Sequence, residues 1–158
     1  MERVVVQLAI ILSVLFSLIA LTLPTVPGHY QAATEDAWLS GWNNRIQLSI
    51  DHRKIEEPLS DFPLLLHLSS SAGIDQDDVT FIFDQLGSSA NRKKIAITTT
   101  DGTTQCYAEI EKWDHEKKEA WIWVRVPFLA NNADMKLYLY YDKNVEDNTI
   151  YIGDKGSD

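Results

Sequence analysis

The sequence predicts an all-β fold: an antiparallel β-sandwich of seven to eight strands, following an N-terminal hydrophobic helix. Three observations carry this. Short runs of alternating apolar and polar residues recur along the chain after residue 33. Gly, Pro, Asn and Asp separate these runs, and no stretch sustains an apolar period of 3.6 residues. Many short strands in one domain of this length close into a sandwich or a barrel. Jelly-roll-like and immunoglobulin-like topologies both stay open.

The leader is set aside first. From Val4 to Leu23 the chain carries no charged residue, and Arg3 precedes that run. Residues 1–33 therefore read as a signal peptide or an N-terminal membrane anchor, and residues 34–158 as the sandwich module. The run exceeds a usual signal core of about 7–15 residues and just suffices to span a bilayer. A cut after Gly28 fits Val26 and the helix-ending Pro24 and Pro27. On either reading Arg3 stays inside, Glu35 and Asp36 go outside, and the module is extracytoplasmic.

The strands follow in order. "NRIQLSID" puts Ile46, Leu48 and Ile50 on one face, and "FPLLLHLS" sets Leu64, Leu66 and Leu68 against Leu65 and His67. "DVTFIFD" reads as a strand with Val79, Phe81 and Phe83 on one side, and "KKIAITTT" gives Ile95 and Ile97. Asp101-Gly102 marks a tight turn into a partner strand with Cys106, Ala108 and Ile110 inward. Residues 121–128 place Ile122, Val124, Val126 and Phe128 opposite Trp121, Trp123 and Arg125. Residues 135–141 place Met135, Leu137, Leu139 and Tyr141 opposite Lys136, Tyr138 and Tyr140. A short β-like piece lies near Ile150–Ile152, after which the chain stops in turn-forming residues, as a fragment of a longer protein would.

The net charge is −9, and removing Glu2 and Arg3 with the leader leaves it unchanged. Such acidity argues against nucleic acid and against anionic lipid surfaces, so the membrane enters only through the N-terminal segment. The single cysteine, Cys106, forbids an intrachain disulfide and alternates as a small core residue would.

Six blocks in order complete the pattern: Trp38 and Trp42 in "WLSGWNNRIQLSID", then "LSDFPLLLHL", "DDVTFIF", "YAEIEKWD", "AWIWVRVP" and "LYLYYD". Together they resemble the domain-of-unknown-function family numbered 2341, over about residues 38–145. The chain differs from the family's pattern in reading "YYDKN" where Tyr-Tyr-Gly-Asn is usual, and in a longer segment before Asp101-Gly102. The resemblance implies an exported β-rich module, often next to a concanavalin-like lectin domain and in some cases preceding a proton-channel subunit of the ExbB/TolQ type. It supplies no catalytic residues.

Candidate chemistry is sparse. Glu109 and Glu111, two apart on one strand, would share a face about 7 Å apart. A retaining glycosidase needs two carboxyls about 5–5.5 Å apart. "EIEKWD" meets the Glu-x-Asp-x-x-Glu motif of laminarinase-type hydrolases at its first position only. Asp75, Asp77 and Asp78, with Asp154 and Asp158, offer oxygens for a bound calcium, without an EF-hand register. The histidines at 29, 52, 67 and 115 have no ligand spacing, and no Gly-x-Ser-x-Gly or phosphate-cradling loop is present. No catalytic residue, metal ligand or cofactor is assigned.

What remains is aromatic. If residues 121–128 and 135–141 pair as a hairpin, Trp121, Trp123, Tyr138 and Tyr140 meet on the side opposite the core, with Arg125 beside them. Such a platform suits sugar rings, or a protein partner. The bland alternative is that the chain's own loops cover that side, or that the aromatic face is itself the core. The expectation is a non-enzymatic extracytoplasmic module binding glycan or a neighbouring domain through Trp121, Trp123, Arg125, Tyr138 and Tyr140. A structural or adhesin spacer, a channel accessory, and a glycoside hydrolase using Glu109 and Glu111 are the alternatives.

Overall fold

Seven strands among the described residues of the computed structural model divide between two sheets. The model describes residues 37–155, so the expected leader over residues 1–33 and its hydrophobic helix lie outside the described residues. The first sheet has the order β1 (Arg45–Ile50), β6 (Met135–Tyr141), β3 (Ile95–Thr98), and both pairings are antiparallel. The second has the order β2 (Leu59–Leu68), β5 (Glu119–Leu129), β4 (Ala108–Asp114), β7 (Ile152–Asp154). Its pairings are antiparallel except the last, where β7 joins β4 in parallel.

The inner faces are those the alternation predicts. Ile122, Val124, Val126, Ile110 and Ala108 from the second sheet meet Ile95, Ile97, Leu137, Leu139 and Tyr141 from the first, with Cys106 from the segment before β4, all buried. Each Leu- or Ile-sized side chain there contributes roughly 1.5–3 kcal/mol by leaving water. Leu64 and Leu66, with Ile46, Leu48 and Ile50, pack on the rim of that core. Phe128 departs from its expected inward place: it is exposed, and Leu129 is buried instead. The alternation slips at Pro127, which has no N–H to give the ladder. Opposite it, Asp61 takes a left-handed φ of +52°, and the Asp61–Pro127 rung is missing.

One expected strand is a helix. "DVTFIFD" forms α1 (Phe81–Leu86), preceded by Thr80 and stopped by Gly87 at φ +79°, whose N–H donates to the Phe83 carbonyl. Val79, Ile82, Phe83 and Leu86 are buried while Phe81 is exposed, which is a stripe at i, i+3, i+4 and i+7. The Asp78 carboxylate accepts from both the amide and the hydroxyl of Thr80 and so fixes the entry. Phe83 lies 4.7 Å from the Trp113 ring on β4, and Phe81 lies 6.2 Å from the Tyr141 ring on β6. The helix thereby touches both sheets.

The Asp101-Gly102 turn is present, with the Gly102 N–H donating to the Thr99 carbonyl and Cys106 still bonded to Ile97. The chain then leaves β3, and β4 pairs in the other sheet. The expected partnership of these two strands is thus confined to Thr104, Gln105 and Cys106.

Candidate functional site

The expected aromatic hairpin does not form. β5 pairs with β2 and β4, and β6 pairs with β1 and β3. The loop between them carries the chain from one sheet to the other, because each strand has an aliphatic face and a sandwich buries both by facing them. Trp121, Trp123 and Arg125 therefore point outward from the second sheet, whereas Tyr138 and Tyr140 point outward from the first. The five residues do not form one platform.

On the first sheet the outer side is covered by the chain itself. Tyr138 and Tyr140 are buried, with Ala96 beside them and Leu39 and Trp42 packed against them. The Tyr140 hydroxyl donates to the Gly102 carbonyl at 2.8 Å and accepts from the Leu39 amide and the Arg45 guanidinium. Arg45 also lies 4.3 Å from the Trp38 ring and 4.1 Å from the Tyr138 ring. These two tyrosines fasten residues 37–42 and the turn after β3.

On the second sheet the outer side is open. Its rungs run His67–Trp121–Lys112 and Leu65–Trp123–Glu109 across β2, β5 and β4. Trp121 is occupied: His67 stacks on it at 4.6 Å and the Lys112 ammonium sits 4.8 Å from its centroid, each from a flanking strand. The ladder shifts between Ile110 and Lys112, so Glu111 is the extra residue of a bulge. That bulge lets the consecutive Glu111 and Lys112 both serve the outer side, where Trp123 Nε1 donates to Glu111 Oε2. Strict alternation would have turned Lys112 inward.

Beside Trp123 is a groove of about 370 Å³, lined by Pro63, Tyr107, Glu109, Arg125, Tyr151 and Gly153 among others. Trp123 is 38% exposed and Tyr107 is 56% exposed. The Tyr107 and Tyr151 rings lie 5.2 Å apart, because parallel pairing of β7 aligns Ala108 with Ile152 and so sets the preceding tyrosines side by side. The Arg125 guanidinium is paired with Asp61 at 3.0 Å, and Glu109 lies 3.8 Å from the Lys155 ammonium. β7 is held in turn by the ion pair of Asp154 with Arg92 at 2.6 Å.

Of the expected site residues, the groove gathers Trp123 and Arg125. Sequence reasoning missed Tyr107, Tyr151 and Gly153. Tyr107 did carry a signal, alternating against Cys106 and Ala108. Tyr151 and Gly153 carried none, since their place depends on a parallel pairing across 40-odd residues of chain. Glu109 faces the groove and Glu111 holds Trp123, so the two carboxylates have separate duties.

Among the described residues, Asp75, Asp77, Asp78 and Asp154 do not gather into one cluster. Asp77 is bridged through its backbone to Ala72, Asp78 is held by Thr80, Asp154 by Arg92, and Asp158 lies outside the described residues. Among the described residues, Asp51, His52 and Asp134 bring ligand-type atoms within 4.8 Å of one another. Arg53 engages both Asp51 oxygens, however, and His52 Nδ1 is 2.7 Å from Asp134. Cys106 is buried, and burial, with the Asp101 charge second, pushes its thiol up to about 11. It is a core residue and a poor nucleophile.

Residues 91–150 match the family model described as Domain of unknown function (DUF2341). Over that segment the chain is similar to DUF2341. The DUF2341 match runs from the residues before β3 through β6 and includes Tyr107, Glu109, Trp123 and Arg125. The blocks around Trp38, "LSDFPLLLHL" and "DDVTFIF" lie before it, and Tyr151 and Gly153 just after it. No curated protein and no solved structure matches the chain.

Proposed function

We propose that this chain is a non-enzymatic, exported binding module that recognises glycan through the groove on the outer side of its second sheet. The observation that carries this reading is the exposure of Trp123 and Tyr107 along a groove that also holds Glu109 and Arg125. Sugar rings present C–H faces that pack on aromatic planes, and their hydroxyls bond to charged and polar groups at the rim. Support for export comes from the apolar run at residues 4–23 and the acidic module behind it. The non-enzymatic reading is supported by the employment of Glu111 as acceptor for Trp123.

The test is retardation in gels that contain soluble polysaccharide. Wild-type chain is expected to be retarded by at least one polysaccharide, and Trp123→Ala to run freely with its melting temperature unchanged within a few degrees. Free migration of the wild type through every polysaccharide sinks the reading. A docking face for a neighbouring protein domain is the second reading, favoured by the exposed Leu65 and Ile150 that flank the same aromatic residues.

A further inference from the structure

Five glycines lie in the described residues. Gly41, Gly73, Gly87 and Gly102 all take a positive φ, so the backbone needs glycine there. Gly153 does not. It sits in β7 opposite Glu109, outside the left-handed region. A Cβ added there would meet the Glu109 Cγ at 3.5 Å and the Ala108 carbonyl at 3.6 Å, which is ordinary contact. A glycine inside a strand weakens it, so the fold gains nothing from this one. What the missing side chain provides is space, because Gly153 lines the groove beside Tyr107, Tyr151 and Glu109.

The charges at the groove narrow what that space can take. Arg125 is matched by Asp61, and Glu109 has Lys155 near it. Among the described residues, no unmatched cation lines the groove to draw an anion, and the chain as a whole carries −9. A polyanion would be repelled over its length. An uncharged polyhydroxyl ligand meets no such cost, and matched charges still offer it donors and acceptors.

We infer that Gly153 is the specificity-determining residue of this groove and that the sugar it admits is uncharged. The inference rests on the glycan reading above. Its test compares the full chain with Gly153→Trp and Gly153→Ala in gels containing neutral polysaccharides (a β-glucan, a mannan, a galactan) or acidic ones (alginate, polygalacturonate). The expected result is retardation by a neutral polymer and by no acidic one, weakened at least about tenfold in Gly153→Trp. Gly153→Ala is expected to stay close to wild type, and both variants to keep the wild-type melting temperature. Retardation by the acidic polymers overturns the uncharged class while leaving glycan binding standing. Undiminished binding by a folded Gly153→Trp moves the site away from the groove. No retardation by any polymer removes this inference and the glycan reading together. If Gly153→Trp unfolds, Gly153→Leu takes its place, judged by the same two readouts.

Discussion

At Gly102 two demands fall on one residue. Its φ of +74° favours glycine, and a Cβ there would lie 1.8 Å from the Ala37 carbonyl oxygen. The turn that holds it is organised by Asp101, whose carboxylate accepts from the amides of Thr103 and Thr104 and from the hydroxyls of Thr99 and Thr104. Burial pushes the Asp101 carboxyl up, but those four bonds outweigh it and hold it down at about 2. An unfolded aspartate titrates near 3.9, so the folded state binds its proton less readily. The stabilisation is therefore present above about pH 4 and is lost as the pH falls from there toward 2. Melting curves between pH 5 and 2 should show wild type losing stability faster than Asp101→Asn, and parallel curves would contradict this account.

At the scale of elements, β7 has only three residues and a single paired neighbour, yet it forms one wall of the groove. It is kept in place by the Asp154–Arg92 pair, whose side chains are 6% and 19% exposed. Asn148 helps, bonding the Ile95 carbonyl and the Gln105 side chain. Removing one partner of a buried ion pair leaves the other uncompensated, at a cost of about 3 kcal/mol. Asp154→Ala should therefore lower the free energy of unfolding by about that amount in urea titration and loosen Tyr151 and Gly153. A loss below about 0.5 kcal/mol would show the pair to behave as a surface one. The helix α1 makes a contrasting point. Its apolar stripe was present in the sequence, but six residues give under two turns, and "VTFIF" matches a strand equally well. The αL stop at Gly87 is the signal that separates the two readings.

For the whole molecule, the net charge of −9 is distributed over an exterior whose ion pairs are mostly exposed. Exposed pairs contribute little, so unmatched carboxylates dominate and repel one another. Raising sodium chloride from about 20 mM to about 300 mM shortens the reach of that repulsion severalfold. The melting temperature is expected to rise across this range. A fall would mean that the surface pairs outweigh the self-repulsion.

The sequence by itself determined the all-β class and the strand alternation, and it offered the aliphatic side of each strand as the candidate core face. Period-two burial is a local property, readable in Ile122/Val124/Val126 and Leu137/Leu139 without any knowledge of partners. Trp123 and Arg125 are left outside the core because the aliphatic side of β5 is the one that faces the other sheet. The tertiary structure alone decided what they would meet there. Strand partners are chosen by the whole set of apolar faces at once, and a loop such as residues 130–134 serves equally as a hairpin turn or as a passage between sheets. That choice parted Trp123 from Tyr140, buried one aromatic side beneath residues 37–42, and left the other open. The groove between Trp123 and Tyr151 exists because β7 returns in parallel to β4, a pairing that no local pattern encodes.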